Sequence, residues 1–507
     1  MRIQNSIKNI IFGLGGQLAS TILAFITRTV FIYVLGAEYL GIDGLFTNVL
    51  SLLSLANLGF DSAIIFSLYK PLSDKNNVEI KGYIGIYSVV YKFVGTFVFF
   101  IGILLIPFLP YIISGELNIK ENLTVIYIMF LLNSSISYFY IYKQSILIAN
   151  QQNYIISKVH TLFMLLSNVL QIVVLLISKN YLLMLGIQLI CRVLENIYIS
   201  KCADKEFPFL KDKKIEGKLS KEKKRSLYKN VYSMLLYKIS GTVINSTDNI
   251  IISYFVGIFY VGIYSNYLLI ISTLRTLLSY IFSSLKASVG NLMVSKDNEK
   301  KEFIYYEIFF LSFWIYGFLS ICLFILLNDF ITIWIGEKYV LDTFTVLIII
   351  VNFYTEGMQN VSTTYRDTTG LFSVGKYRPI IAAIINIIVS IILAPKLKIS
   401  GILLGTIISR VLVYFWFDPY VIHKYVFKKR IMSYFIEYIK KVFIIVATGN
   451  ITFLVTKTII VESLFLRFFI NCGICILVPN VIFLTIFYKN KYFKYLNNIF
   501  RTFIKIK

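Results

Sequence analysis

From Ile7 to Tyr488 the chain is a succession of nearly uninterrupted apolar stretches of about 20 to 28 residues, and this pattern constrains its fold more than any other feature. Wound as a helix at about 1.5 Å of rise per residue, each stretch crosses a hydrocarbon layer about 30 Å thick. Strands of a membrane barrel would alternate apolar and polar residues over about ten positions, and no such alternation is present. Apolar residues make up 57% of the chain and charged residues only 15%, against about 25% charged in soluble proteins, so lipid must solvate most of the surface. The expected class is an all-α polytopic membrane protein.

The runs place spans near 7–35, 44–69, 83–109, 123–148, 155–178 and 181–200, and, after a polar tract, near 231–256, 259–285, 304–328, 340–363, 379–395, 399–417, 440–460 and 465–488. These are about fourteen transmembrane helices with no sizeable soluble domain. The first run is too long for the apolar core of a cleavable signal and has no convincing small-residue cleavage site, so it is expected to be a span.

Basic residues set the orientation. With the N-terminus placed inside, and residues within about five positions of a span end counted with the adjoining connection, 37 of the 50 lysines and arginines fall in inner connections and tails and 7 in outer connections. This asymmetry predicts a multi-pass protein of a bacterial cell membrane, inner or plasma, with both termini cytoplasmic. It also accounts for the net charge of +24 without nucleic acid, because cationic inner loops are drawn to anionic lipid headgroups.

An internal repeat organises the spans. Residues 34–42 read VLGAEYLGI and 255–263 read FVGIFYVGI, sharing both glycines, the tyrosine and the last isoleucine at an offset of 221. Residues 185–194 and 403–412, LGIQLICRVL and LLGTIISRVL, match at an offset of 218. Two matches at nearly one offset predict duplication of a six-helix unit. Six is even, so the copies are expected to be parallel repeats that enclose a cleft suited to alternating access. The predicted organisation is an N-terminal six-helix lobe over 1–200, a basic cytoplasmic linker over 201–230, a second six-helix lobe over 231–417, and two additional helices with a basic tail over 418–507.

The strings RTVFIYVLGAEYLGIDGLFTNVLSLLSLANLGFDSAI at 28–64, NSTDNIIISYFVGIFYVGIYSNYLLI at 245–270 and RDTTGLFSVGKYRPIIAAIINIIVSIILA at 366–394 carry a resemblance. They resemble bacterial polysaccharide-biosynthesis membrane proteins, the Wzx-type lipid-linked oligosaccharide flippases of the multidrug/oligosaccharidyl-lipid/polysaccharide exporter superfamily. The resemblance covers nearly the whole chain and is weakest over the last two helices. It implies a twelve-helix, two-lobed core plus two helices, with a central cavity lined mainly by helices 1, 2, 7 and 8.

Ionisable groups inside spans cost several kcal/mol unless they meet water, a partner or the interface. Arg28 is flanked by Thr27 and Thr29 on a helix that also carries Gln17, Ser20 and Thr21, and is read as facing a cavity. Lys238 opens the most polar span, followed by Ser240, Thr242, Asn245, Ser246, Thr247, Asp248 and Asn249. The expected substrate-binding residues are Arg28, Lys238, Arg275, Asn245, Asp248 and Asp61. Asp61 and Asp248 are the candidate ion-coupling carboxylates; Asp61 is too short to reach the interface and is expected to be paired or wet. Arg275 could instead extend to the interface. Arg192 and Glu195, three residues apart on a helix, can satisfy each other. Lys92 and Arg410 could reach the cytoplasmic interface, Glu356 has no evident partner, and Arg366 and Asp367 are read as a turn at a helix end.

A cavity rich in arginine and lysine favours anions, and guanidinium matches phosphate geometry. The expected function is therefore a flippase moving polyprenyl-pyrophosphate-linked oligosaccharide repeat units from the cytoplasmic to the outer leaflet, for surface polysaccharides such as capsule or O-antigen. The expected partners are that lipid-linked substrate, membrane lipids and other polysaccharide-assembly membrane proteins. The chain has no P-loop sequence, so a proton or sodium gradient, the membrane potential or removal of product would drive transport. No cofactor, metal site or catalytic residue is expected: the CxxC at Cys472 and Cys475 lies in an apolar span, and His160 and His423 are not near a carboxylate cluster in sequence. The alternatives are a peptidoglycan-precursor flippase or multidrug exporter of the same superfamily, and, from another class, an integral-membrane glycosyltransferase or polysaccharide polymerase. Short outer connections without paired carboxylates count against an enzyme.

Overall fold

A computed structural model describes the chain apart from residues 1, 55–59, 115–118, 213, 215–216, 295–296, 370, 372–373, 376, 460 and 506–507. Every regular element among the described residues is helical. The helices are α1 (Arg2–Leu35), α2 (Ala37–Leu53), α3 (Phe60–Ser73), α4 (Asn77–Leu105), α5 (Leu109–Ile112), α6 (Leu123–Ile141), α7 (Gln144–Ala149), α8 (Asn153–Ser178) and α9 (Tyr181–Glu206). They are followed by α10 (Lys221–Phe255), α11 (Ile258–Val294), α12 (Asn298–Ile335), α13 (Thr343–Thr369), α14 (Arg378–Arg410), α15 (Trp416–Ile422), α16 (Met432–Lys457), α17 (Leu464–Phe487) and α18 (Lys491–Lys505).

Ten segments among the described residues are long and apolar enough to cross a membrane. One of them, Arg378–Phe427, is 50 residues long and holds two of the expected spans. It is broken where Pro395 removes a backbone donor and Lys398 adopts φ 51°, the left-handed conformation that ends one pass and starts the next. The other three expected spans are also helical but more polar or divided. The span at 44–69 is shared between α2 and α3, that at 231–256 lies in α10, and that at 340–363 in α13. The expected linker 201–230 is partly helical: α9 runs on to Glu206, and α10 begins at Lys221 behind Ser220, whose hydroxyl accepts from the Lys223 amide.

The chain divides into two compact units, Met1–Ser265 and Asn266–Lys507. In the first, α8 packs against both α1 and α9, α6 packs against α4 and α9, and α10 packs against α2 and α3. The start of α11 also belongs to this unit, and it meets α2 at two glycines. A methyl group on Gly41 would run into the carbonyl of Ile258, and one on Gly262 into the carbonyl of Ala37. These are equivalent positions of the internal repeat, so each copy presents to the other the contact that it receives. Small residues are what permit two membrane helices to approach this closely. The preceding repeat glycines, Gly36 and Gly257, both have positive φ, 94° and 116°, and turn the chain between helices.

In the second unit α12 is the central helix, packed by α13, α16, α17 and α18. Aromatic side chains hold the last helices to it: Phe313 and Trp314 meet Phe483 of α17 at ring-centroid distances of 5.2 and 5.5 Å, and Trp314 stacks on Phe493 of α18 at 5.6 Å. α14 leads into α15 through a widened π-helical turn at Val411–Phe415, and a second such turn, His423–Phe427, follows α15.

Candidate functional site

In the first unit Arg28 lies on α1, half-buried, and its Nη2 donates to the carbonyl of Ser265 at 2.9 Å. The carboxylate whose field acts on it is Asp43 of α2. Thr27, one residue before, donates to Asn168 Oδ1 of α8 at 2.7 Å, so polar groups on this face of α1 engage neighbouring helices. Asp248 and Asn249 are buried on α10, and the Nδ2 of Asn249 lies beside Gly44 together with Ser265 Oγ. The side chains of Asp61, Lys238 and Asn245 lie outside the described residues; their backbones belong to α3 and α10.

The clearest charged constellation is in the second unit. Arg275 of α11 approaches Glu356 of α13 at 2.8 Å, and Arg410 of α14 approaches the same oxygen, Oε2, at 3.4 Å. Arg410 is further fixed by donating to the Asn352 carbonyl at 3.0 Å. Glu356, for which sequence offers no partner, thus has two, and Arg275 and Arg410 are ion-paired within the unit rather than reaching for the interface. Two guanidiniums on one carboxylate leave a local excess of one positive charge. A cavity of about 280 Å³ opens beside it, lined by Arg275, Glu356, Thr276, Ser279, Tyr316 and Asn360 among others. A Cβ at Gly357 would overlap the Tyr316 ring, so glycine there is what lets the ring lie against α13. The arrangement offers guanidinium to an anion, hydroxyl and amide groups to polar substituents, and an aromatic edge to an apolar or sugar face.

Two other clusters have a structural role. Asp418 of α15, fully buried, binds Arg378 at short range and Arg366 at 3.2 Å, while the Arg378 guanidinium lies over the Tyr414 ring at 4.6 Å. Arg366 is therefore not confined to a local turn: its charge ties the end of α13 to α15, and Arg378 ties in the start of α14. In the first unit Glu195 accepts from His160 Nδ1 at 2.7 Å and faces Arg192 at 3.6 Å. The expected Arg192–Glu195 pair is present, with His160 as the nearer partner of the same carboxylate. Cys322 Sγ meets the Cys475 carbonyl at 3.6 Å, and among the described residues no group of His, Cys, Asp or Glu has the arrangement of a metal site.

No protein-family model matches the chain, and no curated protein sequence matches it. Solved structures do match in fold. The structure of "Lipid II flippase MurJ, inward closed conformation" is similar with a TM-score of 0.65 at 19% identity, over 95% of this chain and 99% of that one. An inward-facing multidrug resistance MATE family transporter of the MOP superfamily is similar with a TM-score of 0.61 at 13% identity, over 78% of this chain and 93% of that one. A Vibrio cholerae MATE transporter, VcmN, is similar with a TM-score of 0.53 at 11% identity, over 85% and 99%. At these identities the likeness is one of fold: the chain has the multi-helix membrane fold of these transporters.

Proposed function

We propose that the chain is a flippase that carries a polyprenyl-pyrophosphate-linked oligosaccharide from the cytoplasmic to the outer leaflet for surface polysaccharide synthesis. The observation that supports this most directly is the charge cluster at Glu356, where Arg275 and Arg410 share the single carboxylate and Arg275 lines the adjoining cavity. A cavity bordered by a cluster with surplus guanidinium suits a phosphate-bearing headgroup and disfavours the cationic substrates that a drug exporter would take. Arg28, Lys238, Asn245, Asp248 and Asp61 of the first unit are proposed as further substrate-binding residues, with Asp61 and Asp248 as coupling sites for a proton or sodium ion.

A flippase-deficient bacterial strain making a defined surface polysaccharide tests the proposal, with wild type, Arg28→Ala, Lys238→Ala and Arg275→Gln compared at matched membrane abundance. Polymer restored by wild type and lost in the variants supports it. Failure to restore any donor polysaccharide despite normal insertion would overturn it.

The fold likeness to a lipid II flippase over 95% of this chain favours a second reading, a peptidoglycan-precursor flippase, whose substrate is also a pyrophosphate lipid. Rescue of cells depleted of their lipid II flippase, without rescue of surface polysaccharide, would select it.

A further inference from the structure

A second cationic concavity lies away from the Glu356 cavity, where α15 gives way to α16. It is an open cleft of about 680 Å³ lined by Tyr420, His423, Lys424, Lys428, Lys429, Arg430, Ile431 and Met432. We propose that this cleft binds the headgroup of an anionic phospholipid of the inner leaflet.

The floor is rigid. His423 is fully buried, with Nδ1 2.7 Å from the Pro419 carbonyl and Nε2 3.0 Å from the Tyr306 hydroxyl. A carbonyl can only accept, so Nδ1 donates to it, and the two contacts together hold the ring in one orientation. The π-helical turn His423–Phe427 and the left-handed Lys428, at φ 57°, then fold the chain back, with the Lys429 amide donating to the His423 carbonyl at 2.9 Å. A π-turn followed by a non-glycine residue at positive φ is a costly conformation that tends to mark functional positions.

The charges on this turn are mostly uncompensated. Lys429 pairs with Glu302 at 2.5 Å. Among the described residues no carboxylate lies within ion-pair distance of Lys424, Lys428 or Arg430; Lys424 instead donates to the Tyr420 hydroxyl at 3.0 Å and lies over the Tyr420 and Tyr425 rings. Three cations held around one concavity are therefore available to a phosphate.

The setting selects a lipid over a free anion. Met432 is 64% exposed at the rim, and Ile436 and Ile439 continue an exposed apolar strip along α16. A phosphate in the cleft would thus have an apolar surface beside it on which acyl chains can lie. In the orientation expected from the distribution of basic residues, this turn lies at the cytoplasmic interface, where anionic headgroups are found, and basic pockets between membrane helices on that side are known lipid-headgroup sites.

The test is native mass spectrometry of the full-length protein in detergent, given equal amounts of phosphatidylglycerol and phosphatidylcholine, with and without inorganic phosphate. Wild type should retain phosphatidylglycerol preferentially, and K424Q/K428Q/R430Q should lose affinity by about five-fold per cation removed. A charge-matched control, K221Q/K224Q/R225Q on the exposed start of α10, should retain it like wild type. If the triple variant does not accumulate, Lys428→Gln alone carries the test, with a loss of about five-fold expected. Equal retention of both lipids, equal loss in the control, or displacement of the lipid by millimolar phosphate would each overturn the proposal, the last identifying a free-phosphate site.

Discussion

Arg275 Nη2 lies 2.8 Å from Glu356 Oε2, joining α11 to α13 through a charge pair about one third exposed on each side. The same oxygen faces Arg410, so Glu356 balances two cations that would otherwise repel one another within a low-dielectric unit.

Replacing Glu356 by Gln should therefore destabilise the protein more than replacing Arg275 by Gln, which leaves the Arg410 pair. A cost of about 1 to 2 kcal/mol is expected, below that of a fully buried pair because the groups are partly hydrated. Thermal unfolding of the two single variants and the double variant in detergent checks this: the double variant should be no worse than Glu356→Gln alone, and additive losses would refute the coupling.

Gly357→Ala should impair transport more than folding. The added methyl overlaps the Tyr316 ring, which stacks on Phe282 and lines the 280 Å³ cavity. Overpacking of this kind costs about 1 to 3 kcal/mol. Normal membrane abundance with polymer export reduced at least about ten-fold is expected; unchanged export would show that the cavity is not on the substrate path.

Asp418→Asn should prevent accumulation. It removes the buried carboxylate that Arg366 and Arg378, both nearly or wholly buried, share, and breaking a buried pair in this way costs about 3 to 5 kcal/mol. Quantitative immunoblotting of membranes measures the outcome. Near-normal levels of the variant would mean that other groups balance the arginines.

Docking of α18 should be alkali-sensitive. Burial pushes the Tyr492 hydroxyl from its ordinary 10 up to about 12, and its ring meets Phe303 and Tyr306 of α12. A raised folded-state value favours the neutral form, so this contribution is complete below pH 10 and is lost as pH rises towards 12. Limited proteolysis within α18 should increase across that window in wild type and shift less in Tyr492→Phe; identical pH profiles would remove Tyr492 from the anchor.

Gly41→Ala and Gly262→Ala should each disrupt the first unit, because the clashing atoms are backbone carbonyls rather than movable side chains. Loss of folded protein on size-exclusion chromatography is expected for either substitution, and a monodisperse, stable Gly41→Ala would show that the helices can part without cost.

Most helices were legible because an apolar run of about 20 residues has few alternatives in lipid. The end of α2 at Leu53 was not, since the apolar run continues past it. The partners of Glu356 were hidden for a simpler reason: Arg410 is 54 residues away and on another helix, a relation no periodicity records. His160 and Glu195, 35 apart, were hidden in the same way. A signal for the Glu356 site did exist in the i, i+4 spacing of Asn352, Glu356 and Asn360, which puts three polar groups on one face of α13. Asp418 escaped notice because it stands at the end of a span, where a carboxylate looks ordinary until two buried arginines are found around it.

The glycine contact between α2 and α11 is reciprocal: Gly41 meets Ile258 and Gly262 meets Ala37, so each side offers equivalent positions to the other. Such an isologous contact is self-complementary and does not depend on the covalent link between its two sides. A chain cut between α9 and α10 should therefore still assemble when its two pieces are made together; pieces that never co-purify would show that the link is needed.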